Sequence, residues 1–400
     1  PIARNARPGK RDCAIRVRCR GEDKELALSV QAHKAVVPPV GRDSLPYTNW
    51  FSLAIMAQRH GLTPWSAEHW RMIGRYARLM VHGRQNTFRV PWGDIFTRTG
   101  DGLVLNRERL RRIVKTFTAA GMYFIEGGHV ASRTGGDWQA STFSIQLGGP
   151  PATSVEGNAD LARAARQLME EIDRSGWRGR WIQHVTDEPV AGNATDYRIL
   201  TGMVRRHMPG LPLLDATMDT ALCGSVDIWC PQPQEYQKHR ELFEAQRAAG
   251  DRVWFYTCCC PGGPWLNRLL DMELLRPVLL GWAAARFDLD GFLHWGLNHY
   301  GADQDPFEKS VVGHGGGNCL PAGDTHVVYP GKGGPWSSLR FEAQREGFED
   351  YELLKQLQAR RPRRAATILA KAIRAFDDYT KDVKVFRSAR KAMLAALDKV

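Results

Sequence analysis

The sequence contains no apolar run long enough to span a bilayer, so a membrane-crossing helix is not expected. It has no GxGxxG after its first strand-like segment in the βα region, which removes the best support for a dinucleotide-binding open sheet. Metal-ligand spacing is missing among its eight cysteines. Cys258, Cys259 and Cys260 are consecutive and no second CxxC set accompanies them, so neither a metal site nor a cofactor is expected. No disulfide framework can be read either; Cys13 and Cys19 could pair, or stay free in a strand. No leader is visible and the chain begins at Pro1, which leaves the compartment open, a secreted or periplasmic one being compatible.

Acidic residues are outnumbered, and the formal charge is +12. The surplus sits at the ends: residues 1–20 carry a net +6 and residues 355–400 a net +9, leaving a body of −3. A basic body that would grip nucleic acid is therefore absent, and no nucleic-acid partner is expected. The run Arg360, Arg361, Arg363 and Arg364 reads as a solvated helix face.

What the chain does have is size, tryptophan and a βα rhythm. Four hundred residues with thirteen Trp can bury a large core. A tryptophan surplus also suits a sugar cleft, because indole stacks on the apolar face of a pyranose. Residues 1–40 read as short alternating strands closed by Pro38-Pro39, a small β segment or cap. From about residue 45, strands alternate with helices. The strand ranges are 45–51, 87–92, 122–127, 181–186, 211–217, 226–230, 253–258 and 291–297. Helical ranges at 66–82, 106–120, 158–175, 194–207, 234–250 and 271–287 lie between them. Eight such units predict an α/β fold, a (β/α)8 TIM barrel over 41–335, with C-terminal helices over 336–400. Residues 130–150 break the rhythm and predict a hairpin or long loop after the third strand. Residues 300–335 read as Gly/Pro-rich loop.

In a barrel the chemistry sits at the C-terminal ends of the strands. The fourth strand ends in Asp187-Glu188-Pro189. Acidic residues there could cap a helix, or they could be a catalytic pair. Neighbours on a strand point to opposite faces, so both reach one substrate only if the chain turns there. Adjacent acids also do not suit the usual arrangement of two carboxylates across a sugar. They suit an asymmetric pair, one moving protons while the other holds a group of the substrate. Other strand ends carry Trp50, Trp92, His129, Trp229, Gln232, Tyr256, Trp295 and Asn298, a set able to stack on and hydrogen-bond a sugar. His184 reads as a core histidine. Arg340, Glu342, Arg345, Glu349 and Asp350 read as a structural ion-pair helix, and Asp324 as a rim residue.

Three stretches resemble glycoside hydrolase family 123, the β-N-acetylgalactosaminidases. They are WIQHVTDEP; VWFYTCCCPGGPWLNRLLD through GFLHWGLNHYG; and GDTHVVYPG followed by SLRFEAQREGFEDYELL. Weaker similarity covers YTNWF and the helix with Ser66, Glu68 and Trp70, so the likeness spans about 45–357. It implies a retaining enzyme that removes β-linked N-acetylgalactosamine from a glycan. Glu188 would be general acid and then base. Asp187 would hold the acetamido N–H while the acetamide carbonyl attacks, giving an oxazolinium-like intermediate. Tyr256 is then expected on the acetamide carbonyl, Trp295 and Trp229 as walls of the sugar subsite. The sequence departs from the family at WFSLA after the first strand, in the Cys258–Cys260 run, and in having only residues 1–40 where members often carry a large β-sandwich. A hydrolase of another 2-acetamido sugar, such as β-linked N-acetylglucosamine, and a non-catalytic glycan-binding barrel are the alternatives.

Overall fold

The computed structural model describes residues 3, 5–100, 102–302, 304–314 and 317–399. Eight parallel strands close into a barrel in chain order. They are Tyr47–Asn49, Thr87–Val90, Phe124–Gly127, Trp181–His184, Leu213–Asp215, Ile228–Trp229, Arg252–Thr257 and Gly291–His294. Closure comes from the eighth strand pairing with the first, Phe292 opposite Tyr47. Each strand overlaps one of the eight expected ranges.

The strands are largely apolar on both faces because both faces are covered. Inward-facing Ile182, Leu214, Ile228, Trp254 and Leu293 fill the barrel, while outward-facing Trp181, Leu213, Trp229, Val253 and Phe255 pack under the helices. The helices start where hydroxyl and amide side chains cap them. Ser66 accepts from the His69 amide before Ala67–His82, and Asn106 from the Arg109 amide before Arg107–Ala120. Leu110, Ile113, Val114 and Phe117 then form the buried stripe of the second of these. Among the described residues no helix is long and apolar enough to cross a membrane.

Some elements differ from the expectation. Helix Leu53–Arg59 and hairpin Phe96–Thr99/Gly102–Leu105 were not foreseen. The 234–250 helix is broken at His239 into Pro233–Lys238 and Arg240–Ala248. The 130–150 segment is a hairpin, Ala131–Arg133 with Phe143–Ile145. Residues 9–32 form one long exposed hairpin, Gly9–Cys19 against Glu22–Ala32. Cys13 and Cys19 are six positions apart on a single extended strand, about 20 Å, so they cannot pair; both are free and exposed.

The C-terminal helix Leu339–Arg360 lies against the barrel helix Leu275–Arg286. Two glycines allow the close approach. A Cβ on Gly281 would lie 2.0 Å from the Gly347 carbonyl oxygen, and one on Gly347 2.1 Å from that of Val278. Asp350 ties this layer together, accepting from Trp282 Nε1 at 3.0 Å and from Arg390 Nε at 2.9 Å. Arg345 bridges Glu342 and Glu349 as expected of an ion-pair helix. Arg340 and Asp350 do not belong to that ladder: Arg340 is buried and donates to the carbonyls of Arg268, Gly323 and His326. Gly281→Ala is expected to lower stability by about 2–3 kcal/mol, because the clash is with backbone that cannot rotate away. Thermal unfolding checks this against Gly202→Ala, a helical site where a Cβ meets nothing within 4 Å. Equal behaviour of the two variants would refute the close-packing argument.

Candidate active site

The fourth strand delivers Asp187 and Glu188 to the C-terminal mouth of the barrel. Glu188 has a φ of +47°, in the left-handed region. A β-substituted residue pays about 1–2 kcal/mol for this conformation. It also abolishes the strand's alternation, so that neighbouring carboxylates line one cleft. The strained turn is held from outside: Arg133, on the inserted hairpin, donates to the Asp187 carbonyl at 2.8 Å and to the Glu188 carbonyl at 2.6 Å. Strain kept in place by dedicated contacts is typical of functional positions.

The cleft has a volume of about 520 Å³, ample for a sugar residue. Trp50, Tyr256 and Leu293 form its inner wall, with Trp295, Asp324, Leu320 and Trp138 around them. Glu188 Oε1 accepts a short hydrogen bond from the Tyr256 hydroxyl, which in turn receives Gln232 Nε2 at 3.0 Å. Burial, reinforced by the adjacent Asp187 charge, pushes the Glu188 carboxyl up to about 7 against the pull of Tyr256. Asp187 is also raised, by burial, with Arg89 and His184 opposing. Across the cleft Asp324 accepts from Trp295 Nε1 at 3.1 and 3.2 Å, and burial raises it to about 7.

Beneath the carboxylates lies a buried polar network. Glu126 accepts from Thr48 Oγ1 at 2.5 Å and Trp50 Nε1 at 2.7 Å. His184 sits between Glu126, at 3.4 Å, and Asp215, at 3.2 Å. Asp215 also accepts from the Tyr197 hydroxyl at 2.5 Å and from the Thr186 amide at 3.2 Å, one residue before Asp187. Burial alone would lower His184, but the two flanking carboxylates outweigh it and its pKa is raised. Arg89 stacks on Trp50 at 4.1 Å and donates to His129 Nδ1 at 3.0 Å, and burial with these cations drives His129 well down. The network fixes the strand end that carries Asp187 and brings the Arg89 and His184 cations to bear on it, with Asp215 opposing them.

Of the residues expected at the site, Asp187, Glu188, Tyr256, Trp295, Gln232 and Trp50 share the cleft. Four others do not line it. Trp229 has the outward parity, between inward-facing Ile228 and Cys230. It is fully buried under the helices, its Nε1 donating to Asp251 at 2.9 Å. Trp92 starts a short helix and packs on Phe96 at 4.9 Å in the outer core. His129 is half-buried, held by Arg89 and edge-on to Trp50, and is not among the residues that line the cleft. Asn298 clamps the loop after the first strand, accepting from the Ser52 amide at 2.9 Å and donating to its carbonyl at 3.1 Å. Tyr256 differs in its partner, since its one proton is given to Glu188. Trp138, Leu320 and Arg133 were missed, because loop insertions bring them in and no strand periodicity points at them. Asp324 is in the wall and not at the rim.

A parallel eight-stranded barrel with acidic residues in a Trp-lined cleft at its C-terminal mouth defines this protein as a glycoside hydrolase. The family described as glycoside hydrolase 123, catalytic domain, matches residues 151–357. The chain belongs to that family. Among solved structures, a family 123 glycoside hydrolase from Clostridium perfringens, described for glycolipid glycan hydrolysis, superimposes with a TM-score of 0.75 at 12% identity, over 100% of this chain and 77% of that one. A family 39 glycoside hydrolase from Bacteroides cellulosilyticus gives 0.44 at 11% identity, over 86% and 71% of the two chains. A β-galactosidase from Marinomonas gives 0.49 at 10%, over 82% and 62%. No curated protein matches significantly by sequence.

Proposed function

We propose that this glycoside hydrolase removes β-linked 2-acetamido sugars, N-acetylgalactosamine first among them, from a glycan by substrate-assisted retention. The observation that carries the reading is the left-handed turn at Glu188, which turns two adjacent carboxyl groups into one cleft in unlike surroundings. Glu188, raised to about 7, can hold a proton near neutrality and give it to the leaving oxygen. Tyr256 occupies Oε1, leaving Oε2 to carry that proton. Asp187 has Arg89, His184 and Arg133 around it to favour its charged form. As a carboxylate it accepts the acetamido N–H, aims the acetamide carbonyl at the anomeric carbon, and faces the cation that forms. The substrate's own carbonyl then acts as an intramolecular nucleophile, with the proximity advantage that implies. Glu188, now a carboxylate, activates the water that opens the intermediate.

The test compares aryl β-glycosides of N-acetylgalactosamine, N-acetylglucosamine and galactose. Turnover of an acetamido sugar with no action on plain galactoside is expected; equal turnover of the galactoside would end the substrate-assisted reading. The neighbour's printed description, glycolipid glycan hydrolysis, makes a lipid-linked glycan the first natural substrate to try.

Trp138 stands half-exposed at the mouth with Arg133 stacked on its ring at 3.7 Å. As an outer stacking platform it contributes to binding and not to bond cleavage. Trp138→Ala is expected to raise KM about 10-fold, the equivalent of about 1.4 kcal/mol of stacking, with kcat little changed. A fall in kcat at constant KM would show that the ring acts on the chemistry instead.

A further inference from the structure

The consecutive cysteines lie where their spacing gave no reason to look. After the seventh strand the chain folds back, the Cys258 amide donating to the Cys260 carbonyl at 3.0 Å. On an extended strand neighbouring side chains diverge; here the three converge. Their sulfurs form a nearly equilateral triangle, 3.9 Å from Cys258 to Cys259, 3.8 Å from Cys258 to Cys260 and 3.8 Å from Cys259 to Cys260. Three thiolates bound to one tetrahedral zinc-sized ion at about 2.3 Å stand about 3.8 Å apart. The triangle is already the base of that tetrahedron.

The surroundings support it. The loop is braced by Asn267, whose Nδ2 donates to the carbonyls of Cys258 and Pro261 at 2.8 and 3.1 Å. Gln232 Nε2 approaches the sulfurs of Cys258 and Cys260 at 3.5 and 3.4 Å, a donor that favours charged sulfur. Such outer contacts orient ligands in metal sites. All three cysteines line the same cleft as Asp187, Glu188 and Asp324, and their open side is the cleft itself. Among the described residues this is the group of His, Cys, Asp or Glu ligand atoms close enough to share one ion.

We propose that Cys258, Cys259 and Cys260 form a three-thiolate site for one thiophilic divalent cation of the Zn2+ or Cd2+ class, with its fourth position open to the cleft. Soft sulfur ligands select such ions over Mg2+ or Ca2+. A bound ion shares the cavity with the glycan, and Gln232 links it through Tyr256 to Glu188. The site stands or falls independently of the glycosidase reading, because it is read by binding.

The full chain, reduced with a phosphine and freed of metal, is titrated with Cd2+. The sulfur-to-cadmium charge-transfer absorption and the bound metal per chain are measured beside Mg2+. One Cd2+ per chain with an absorption of three thiolates is expected, and Mg2+ should not bind. Each of Cys258→Ser, Cys259→Ser and Cys260→Ser should weaken binding by at least about 100-fold, the upper end of what loss of a mere supporting contact costs. If a variant does not fold, alkylation of the wild type with and without Cd2+, read peptide by peptide, decides: the three cysteines should be protected together while the exposed Cys13 and Cys19 are not. No tight binding, an absorption of fewer than three thiolates, or protection elsewhere would overturn the site.

Discussion

Glu188→Gln is expected to lower kcat about 10²–10⁴-fold on a glycoside with a poor leaving group, the contribution of a positioned acid–base residue. The amide keeps the size and the partner, since it can still accept from Tyr256, but it has no proton to give. The loss should therefore depend on the leaving group. With a strongly acidic phenol as aglycone the first step needs little protonation, and the deficit should shrink toward what the second step lacks. A uniform loss across leaving groups would indicate a distorted cleft and not a missing acid.

The same residue sets the alkaline limb of the pH profile. Its proton is present below about 7 and lost above, so kcat/KM should fall as the pH rises through that value. On the proposed mechanism the acid limb comes from Asp187, which must be ionised to face the forming cation with a negative charge. Its carboxyl is raised by burial, so activity should decline on the acid side at a higher pH than an ordinary aspartate would give. In Glu188→Gln the alkaline limb should vanish while the acid limb stays. An alkaline limb that survives the substitution belongs to another group, Asp324 being the one to examine.

The barrel was legible because each strand is a short apolar run bounded by turns, and the helices between them carry a periodic buried face. The acidic pair was legible from position, at the end of the fourth strand. Parity explains the failures at single residues. Trp229 was assigned from its place near a strand end, while the neighbouring Ile228 and Cys230 already claim the inward face. Trp138 and Leu320 reach the cleft, and Arg133 the turn behind it, on insertions whose course no period records. The network below the floor left a signal that went unused: Arg89, Glu126, His184 and Asp215 are ionisable residues inside otherwise apolar strands. Groups that costly to bury need partners in the barrel. The cysteine triangle was missed for a different reason, since spacing rules assume a regular chain and this one doubles back.

Asp187→Asn separates the two carboxyl roles most sharply. The amide oxygen can still accept the acetamido N–H, so the substrate should still bind. What disappears is the negative charge facing the forming cation. Removal of one preorganised electrostatic contact at a reacting centre costs about 10²–10³-fold in kcat, and a loss of that size with KM within a few-fold is expected. The amide also changes the pocket below it, because Arg89, His184 and Arg133 lose the anion they act on. A His184 thus deprived of one carboxylate keeps Glu126 and Asp215, so the strand end should stay in place and thermal unfolding should move little. The acid limb of the pH profile should go with the carboxyl, the converse of the result for Glu188→Gln. A variant that keeps wild-type kcat, or one whose acid limb is unchanged, would remove Asp187 from the reaction and leave Glu188 to find its partner across the cleft, where Asp324 stands.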